Sequence, residues 1–460
     1  MSPQMGTNRT PAPRLTYYVD KKLFLPRDEP ASIAGTADAK AVLFRDRYHL
    51  IRQRLLRHPV FAEGLIDDQG NLVKQTLTPI NALIAKSGML TGQQRQIAVV
   101  LGLLTQIDNG KLALEDLDGV INLHLPTPDE LRAFYTQTMG YSEADITPEV
   151  LNIFHEGLYT DNCIVVVRGY FEDGRFVALT IGMPPAEARA DTLAAFPGLN
   201  FFGGSYNHRD RASLLRSERE NEAMVCFLSD FYLDDPDVLR NFDHMLAGFS
   251  AIQSYPTAFV LMGNFCSEPQ RSDVHAVIQV PGPQDPGAGN VLPRPPLPSA
   301  LVRRFMTFVK RVHNATNPCR IRYGTQGIVV FRDNIVNKMR RNVMVKPFDN
   351  NSDDEDMLPQ MLAKTLVDQA HLCPLPLHVR PILWQYDQSL SLYPVPELVV
   401  LGDDGAGYET LYHGCRVVNP SSFAKTRCFV TYHPDRLHRD DPDDQDEPCV
   451  EFSDLGVMGN

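Results

Sequence analysis

The chain has 460 residues, room for two or three domains with ample core, and a globular composition of 43% hydrophobic and 22% charged residues. No apolar run approaches the roughly 18 residues needed to cross a bilayer, so no membrane-spanning helix and no membrane partner are expected. The formal net charge of −12 argues against a surface built as a whole to grip phosphate backbones. The eight cysteines form no C-x-x-C pair, and several sit inside apolar runs, as Cys163 does in "NCIVVV". They read as buried free thiols of a reducing compartment, cytosol or nucleus, rather than as zinc ligands.

In chain order, residues 1–13 are expected to form a disordered arm. "MSPQMGTNRTPAPR" holds no apolar stretch of the leader type, which fits an intracellular chain. Residues 14–75 form a helical and extended segment that braces the core. Within it, "AKAVLFRDRYHLIRQRLLRH" (39–58) places Ala41, Phe44, Tyr48, Ile51, Leu55 and Leu56 at helical spacing, with arginines on the other face, until His58-Pro59 stops it. Clustered charge of this kind reads as a solvated face, and so do "RRFMTFVKR" (303–311), "NKMRRN" (337–342), "DDED" (353–356) and "DDPDDQDE" (440–447).

From 76 to 190 the period changes to two. "IAVVLGLLTQI", "GKLALEDL", "GVINLHL", "NCIVVVRGYF" and "RFVALTIGM" are short strands broken by Asn-Gly, Asp-Gly and Glu-Asp-Gly turns. Five strands with this rhythm match a small Greek-key barrel of the OB type, with a helical insertion near 126–156. Such barrels bind single strands through aromatic and basic residues on one face. This one has few of either, which favours a scaffold role over strand binding. Residues 191–460 read as a second, α/β domain: "AMVCFLSD", "TAFVLMGN" and "HAVIQVPGPQD" are apolar strands buried on both faces, each ending in a polar turn. "CRIRYGTQGIVVFRD" reads as a hairpin, "LVVLGDD" as a further strand, and "PRPPLPS" and "PLPLHVRP" as rigid connectors.

Loops at the carboxyl ends of such strands are where ligands bind. A two-metal phosphoesterase places there D-x-H, then G-D-x-x-D, then G-N-H-[DE] and finally G-H-x-H, around cations roughly 3.5–4 Å apart. This chain has strand ends in that order with the ligands changed. Asp230 stands in the first block, with Tyr232 at the histidine position. The second block reads Gly263-Asn264-Phe265-Cys266-Ser267, with Asn264 for the bridging aspartate and Ser267 for the later one. The third reads Gly282-Pro283-Gln284-Asp285, and no G-H-x-H follows. A neutral amide cannot offset two dications, so no metal, cofactor or catalytic residue is expected. His371 and His378 read as ordinary, partly buried histidines, and His371 is counted with Asp230, Tyr232, Asn264, Ser267, Gln284 and Asp285 as a vestigial metal-site position. The competing reading is a one-metal phosphoesterase built on Asp230, Asp285 and His371.

The runs "FLSDFYLDDPDVL", "FVLMGNFCS", "VPGPQDPGAGNVLPRPPLP", "NPCRIRYGTQGIVVFRDNIVNKMRRN", "HLCPLPLHVRPILWQYDQSLSLYPVPELVVLGD" and "VVNPSSF" resemble the B-subunit family of replicative DNA polymerases. "LTYYVD", "FRDRYHLIRQR", "GLYTDNCIVVVRGYFEDGRF" and "NFFGG" agree, so the resemblance spans residues 15–424. "PVPELVV" and "GPQDPGAGNVLPRPPL" favour the polymerase epsilon branch over alpha and delta. The resemblance implies an OB-type barrel packed on an inactivated calcineurin-like phosphoesterase αββα sandwich. It also implies a noncatalytic nuclear subunit that binds the C-terminal cysteine-rich region of the catalytic subunit, with weak DNA contact at most. Family members carry a small helical domain ahead of "YYV", where only about 14 residues stand here. A weakened contact with the replicative helicase through GINS is therefore expected. The usual helix between Asn264 and the next strand is expected to be absent, because only residues 265–275 join them.

Overall fold

Helix α1 (Ala37–Leu55) leads into five strands, β1 (Ile97–Ile107), β2 (Lys111–Glu115), β3 (Val120–His124), β4 (Ile164–Glu172) and β5 (Arg175–Gly182). The computed structural model of the chain describes residues 6–7, 13–27, 29–66, 72–87, 95–107, 110–201, 211–267, 278–286, 290–303, 311–344, 353–438 and 448–456. The five strands close into a barrel in the order β5-β3-β2-β1-β4, as the turn spacing predicts. All neighbours are antiparallel except β3 and β5, where Leu123 faces Phe176 in parallel register. A parallel pair needs a long connection, and residues 126–156 lie between β3 and β4, where the chain crosses the barrel. Helix α2 (Pro128–Gln137) forms there behind a capping box in which Thr127 and Glu130 exchange hydrogen bonds. Its Leu131, Phe134 and Tyr135 pack on Tyr170, Val177 and Leu179 of the barrel wall.

The second half of the chain makes two six-stranded sheets. In chain order its elements are β6 (Val225–Leu228), α3 (Pro236–Ala251), β7 (Ala258–Met262), β8 (Ile278–Val280), β9 (Cys319–Tyr323), β10 (Gln326–Arg332) and α4 (Ile335–Arg341). Then come α5 (Asp353–Asp368), β11 (Leu398–Gly402), β12 (Tyr408–Tyr412), β13 (Cys415–Asn419), β14 (Cys428–Tyr432) and β15 (Val450–Asp454). One sheet runs β8-β7-β6-β14-β15 beyond an edge pair at His313–Asn314, and the other β9-β10-β11-β13-β12. Side chains alternate between layers with the strand period of two. Val225, Phe227, Val260, Met262, Ile328, Val330, Leu398 and Val400 meet between the sheets. Cys226, Leu228 and Leu261 face α3, while Val329, Phe331, Val399 and Leu401 face α4 and α5. The layers are therefore helix, sheet, sheet, helix. The acidic run 353–356 falls in the first turn of α5. Within the expected arm, Gly6 and Thr7 pair antiparallel with Arg322 and Ile321, because β9 offers an open sheet edge. The run 440–447 and the crossover 268–277 lie outside the described residues, as does most of 303–311.

Helix α1 sits between barrel and sandwich, and this corrects the expectation of a solvated arginine face. Ile51 and Leu55 pack on Leu101 and Ile164 of the barrel, and the Tyr48 hydroxyl donates to Leu101 O at 3.2 Å. On the sandwich side, Arg54 is only 2% exposed. It donates to Asp368 O at 2.5 Å, Pro184 O at 2.9 Å and Val367 O at 3.4 Å. Val367 and Asp368 end α5, whose last carbonyls carry its negative dipole, and Val367 O also accepts Ala370 N–H at 3.0 Å. Arg54 caps that helix from another element. Gln369 completes the junction: its amide accepts Ile164 N–H at 2.8 Å and donates to Ile164 O at 2.7 Å.

Candidate functional site

The carboxyl ends of β6, β7, β10 and β11 meet at one rim. Arg332, the last residue of β10, lies at its centre and is 1% exposed. Its Nε donates to Gly263 O at 2.5 Å and to Asp230 Oδ1 at 3.2 Å; its Nη1 donates to Asn334 Oδ1 at 2.7 Å and to Gly402 O at 2.8 Å. Nη2 donates to Asp230 Oδ1 as well. Asp230, held at φ 52°, also accepts Asn264 N–H at 3.3 Å. A buried charge is tolerated when it is paired and hydrogen-bonded, and here the pair also ties one sheet to the other. Gly402 must be glycine, because a Cβ there would stand 2.8 Å from the Arg332 Cδ.

Asp285 serves the backbone instead. It accepts Phe265 N–H at 2.6 Å and Gly282 N–H at 2.7 Å, fastening the loop after β7 to the loop after β8. Burial pushes its carboxyl up, against the opposing pull of those two N–H groups. Asn264 adds a third link by accepting Gln284 N–H at 2.9 Å. The glycines of both motifs follow from this closeness: a Cβ on Gly263 would meet Asp285 Oδ2 at 1.9 Å, and one on Gly282 would meet Asn264 Oδ1 at 2.6 Å. The Gln284 side chain is exposed. Tyr232 is half-buried beside the rim, and burial, followed by the Asp230 charge, raises its phenol pKa. Ser267 turns away: its N–H and hydroxyl each bond Asp234 at 2.8 Å.

His371 belongs to a different network, so Asp230, Asp285 and His371 do not converge as the one-metal reading requires. It follows α5 and faces α1. Cys373 N–H donates to its Nδ1 at 3.0 Å, and its Nε2 lies 3.1 Å from Arg47 Nη2 and 3.3 Å from Asp387 Oδ1. Burial, followed by the Arg47 charge, lowers its pKa and keeps the ring neutral. Arg47 holds Asp387 with two bonds, at 2.5 and 2.9 Å. Burial works to raise the Asp387 carboxyl, but Arg47 and His371 outweigh it and hold it well below the usual range. His378 is exposed rather than partly buried, since it sits in the turn that follows Leu375. Among the described residues, no group of three or more His, Cys, Asp and Glu side chains is placed to hold a metal ion. All eight cysteines are free, and only Cys428 is not buried.

Sequence reasoning missed the rim's cations. Arg332 and Asp333 close an apolar strand just as Ser229-Asp230 and Gly402-Asp403 do, and that shared position was the available signal. Asp333 is buried against Arg380 Nε at 2.6 Å and pairs with Lys338. Asp403 accepts Val336 N–H at 3.0 Å. Burial pushes its carboxyl up to about 6 against the lowering effect of that N–H.

A five-stranded barrel clamped by one helix to a four-layer sandwich, with a rim held by arginine, is the frame into which the similarities to known proteins fall. Residues 270–410 match the family model for the B subunit of DNA polymerase alpha/epsilon. Residues 37–141, beginning at the first residue of α1, match that of the DNA polymerase epsilon subunit 2-like OB-fold domain. The class is that of the B subunits of replicative polymerases. Along nearly the whole chain, 458 aligned positions are 37% identical to DNA polymerase epsilon subunit 2 of Homo sapiens, covering 92% of this chain and 80% of that protein. The DNA polymerase epsilon B subunit of Arabidopsis thaliana is 32% identical, covering 92% and 79%, and subunit 2 of Drosophila melanogaster is 32% identical, covering 95% and 81%. The chain belongs to the DNA polymerase epsilon subunit 2 family, the accessory B subunits of that polymerase.

Proposed function

We propose that this chain is a noncatalytic nuclear scaffold that binds the C-terminal, cysteine-rich region of the polymerase epsilon catalytic subunit in chromosomal replication and repair. The observation that carries the reading is the clamp at α1 and Gln369, which makes barrel and sandwich one shaped surface instead of two tethered bodies. In this reading the domains are 76–190 and 191–460, braced by 14–75, and obligate interfaces of the kind proposed bury more than about 2,000 Å². The sandwich is a calcineurin-like phosphoesterase domain that has lost its chemistry. The positions Asp230, Tyr232, Asn264, Ser267, Gln284 and Asp285 are the vestige of a two-metal centre, and His371 is an unrelated buried histidine. What supports this is the use to which the carboxylates are put: Asp230 neutralises Arg332 and Asp285 accepts main-chain N–H groups. Such a donor set does not fit two dications. DNA contact is secondary and strongly salt-dependent.

Co-expression with the C-terminal region of the catalytic subunit tests the proposal. A one-to-one complex should survive about 0.5 M salt, where surface ion pairs are heavily screened. A chain that stays monomeric there while holding single-stranded DNA tightly refutes it. Manganese-dependent phosphodiester hydrolysis that disappears in Asp230→Ala would refute the vestigial reading of the rim.

A further inference from the structure

We infer that Arg332 is a tethered cation standing in an oxygen-lined cation site, and that the site takes a hard divalent ion when the guanidinium is removed. The inference rests on reading the rim as a vestigial metal centre, and it adds what replaced the metal. Every acceptor around the guanidinium is an oxygen: the Asp230 carboxylate, the Gly263 and Gly402 carbonyls and the Asn334 amide oxygen. A fifth oxygen is close by. The Ser229 hydroxyl is fully buried, has no hydrogen-bond partner, and would stand 2.8 Å from a Cβ on Gly402. Carboxylate, carbonyl, amide and hydroxyl oxygens are the donor set of calcium and magnesium, whereas soft metals take thiolates and imidazoles.

The guanidinium differs from a metal in two useful ways. Its charge persists at any physiological pH, and it cannot be chelated or exchanged. It is also covalently part of β10, so the cation that joins the ends of β6, β7 and β11 arrives with the fold. One buried carboxylate balances one guanidinium, which accounts for Asp230 beside Arg332 while Tyr232, Asn264 and Ser267 are neutral. Asp285 and Asp403 are held by other partners: the first accepts main-chain N–H groups, and the second accepts Val336 N–H.

The test uses the full chain and four variants: Arg332→Ala, Arg332→Met, Asp230→Asn/Arg332→Ala and Asp230→Asn/Arg332→Met. Arg332→Ala leaves Asp230 buried without its partner and should lower the melting midpoint by on the order of 10 °C. Millimolar calcium chloride or manganese chloride should restore part of that loss, as should guanidinium ion at low millimolar concentration. Potassium chloride at matched ionic strength should not. The unmodified chain should show no such response, and the double variant should lose it, because the carboxylate is gone. Electron paramagnetic resonance of manganese should report about one bound ion in Arg332→Ala alone. If Arg332→Ala does not fold, Arg332→Met gives the second reading, since it fills the volume without the charge. Its midpoint should lie well below that of the unmodified chain, and adding Asp230→Asn to it should raise that midpoint. The inference is overturned if the Arg332→Ala midpoint ignores these cations, if the unmodified chain responds equally, or if Arg332→Met is as stable as the parent. Failure here leaves the subunit assignment intact. Failure to bind the catalytic subunit leaves the Arg332 result intact.

Discussion

Gln369→Leu tests whether barrel and sandwich act as one body. Gln369 is 7% exposed, and its amide makes both hydrogen bonds to Ile164, at 2.8 and 2.7 Å. Leucine has similar volume, so the change removes both bonds to Ile164, and the amide's weak bond to Met183 Sδ at 3.1 Å, without opening a large hole. It strands a buried N–H and a buried carbonyl, each costing about 1–3 kcal/mol, with roughly 1 kcal/mol returned by the added apolar surface. A net loss of about 3 kcal/mol follows, which lowers the midpoint of a lobe of this size by roughly 6–12 °C. Calorimetry and the fluorescence of Trp384, the only tryptophan, read it out. Gln369→Glu should be worse at neutral pH, because it sets a carboxylate against the Ile164 carbonyl. It should recover in mild acid, where the protonated acid donates as the amide did. A loss below about 1 kcal/mol in Gln369→Leu, or no pH dependence in Gln369→Glu, would refute the idea that this side chain joins the lobes.

Four further outcomes are expected. Because the Asp403 pKa is raised to about 6 in the fold, the folded chain keeps a proton that the unfolded chain loses, and stability from this group falls as pH rises from about 4 to 6. Asp403→Asn, which never ionises, should be the more stable form at pH 7.5, and parallel urea-midpoint profiles would contradict this. Both His371 and Asp387 have lowered pKa values, so the unfolded chain takes up protons first as pH falls; stability should drop below about 6.5 and again below about 4. Arg47→Ala strands the Asp387 carboxylate and should cost about 3–5 kcal/mol in chemical denaturation at pH 7. Thr127→Ala removes the capping box of α2 and should cost about 1 kcal/mol, seen as faster amide exchange in the first turn of that helix.

Local pattern and local spacing were enough to determine the five barrel strands, the double-faced burial of β6, β7 and β8, and the order of the altered motifs. Each is written within a few residues: a period of two, a turn signal, a polar pair at a strand end. What the arginines do was decided only in three dimensions. Arg332 reaches Asp230 across 102 positions, Gln369 reaches Ile164 across 205, and Arg54 reaches Asp368 across 314. No periodicity carries such pairings, so the arginines of α1 looked solvated and His371 looked like a neighbour of the rim. An arginine on a helix surface is solvated until a second body packs on that surface. At that point burial makes an unpaired charge costly, and only side chains and carbonyls brought there by the whole fold can satisfy it.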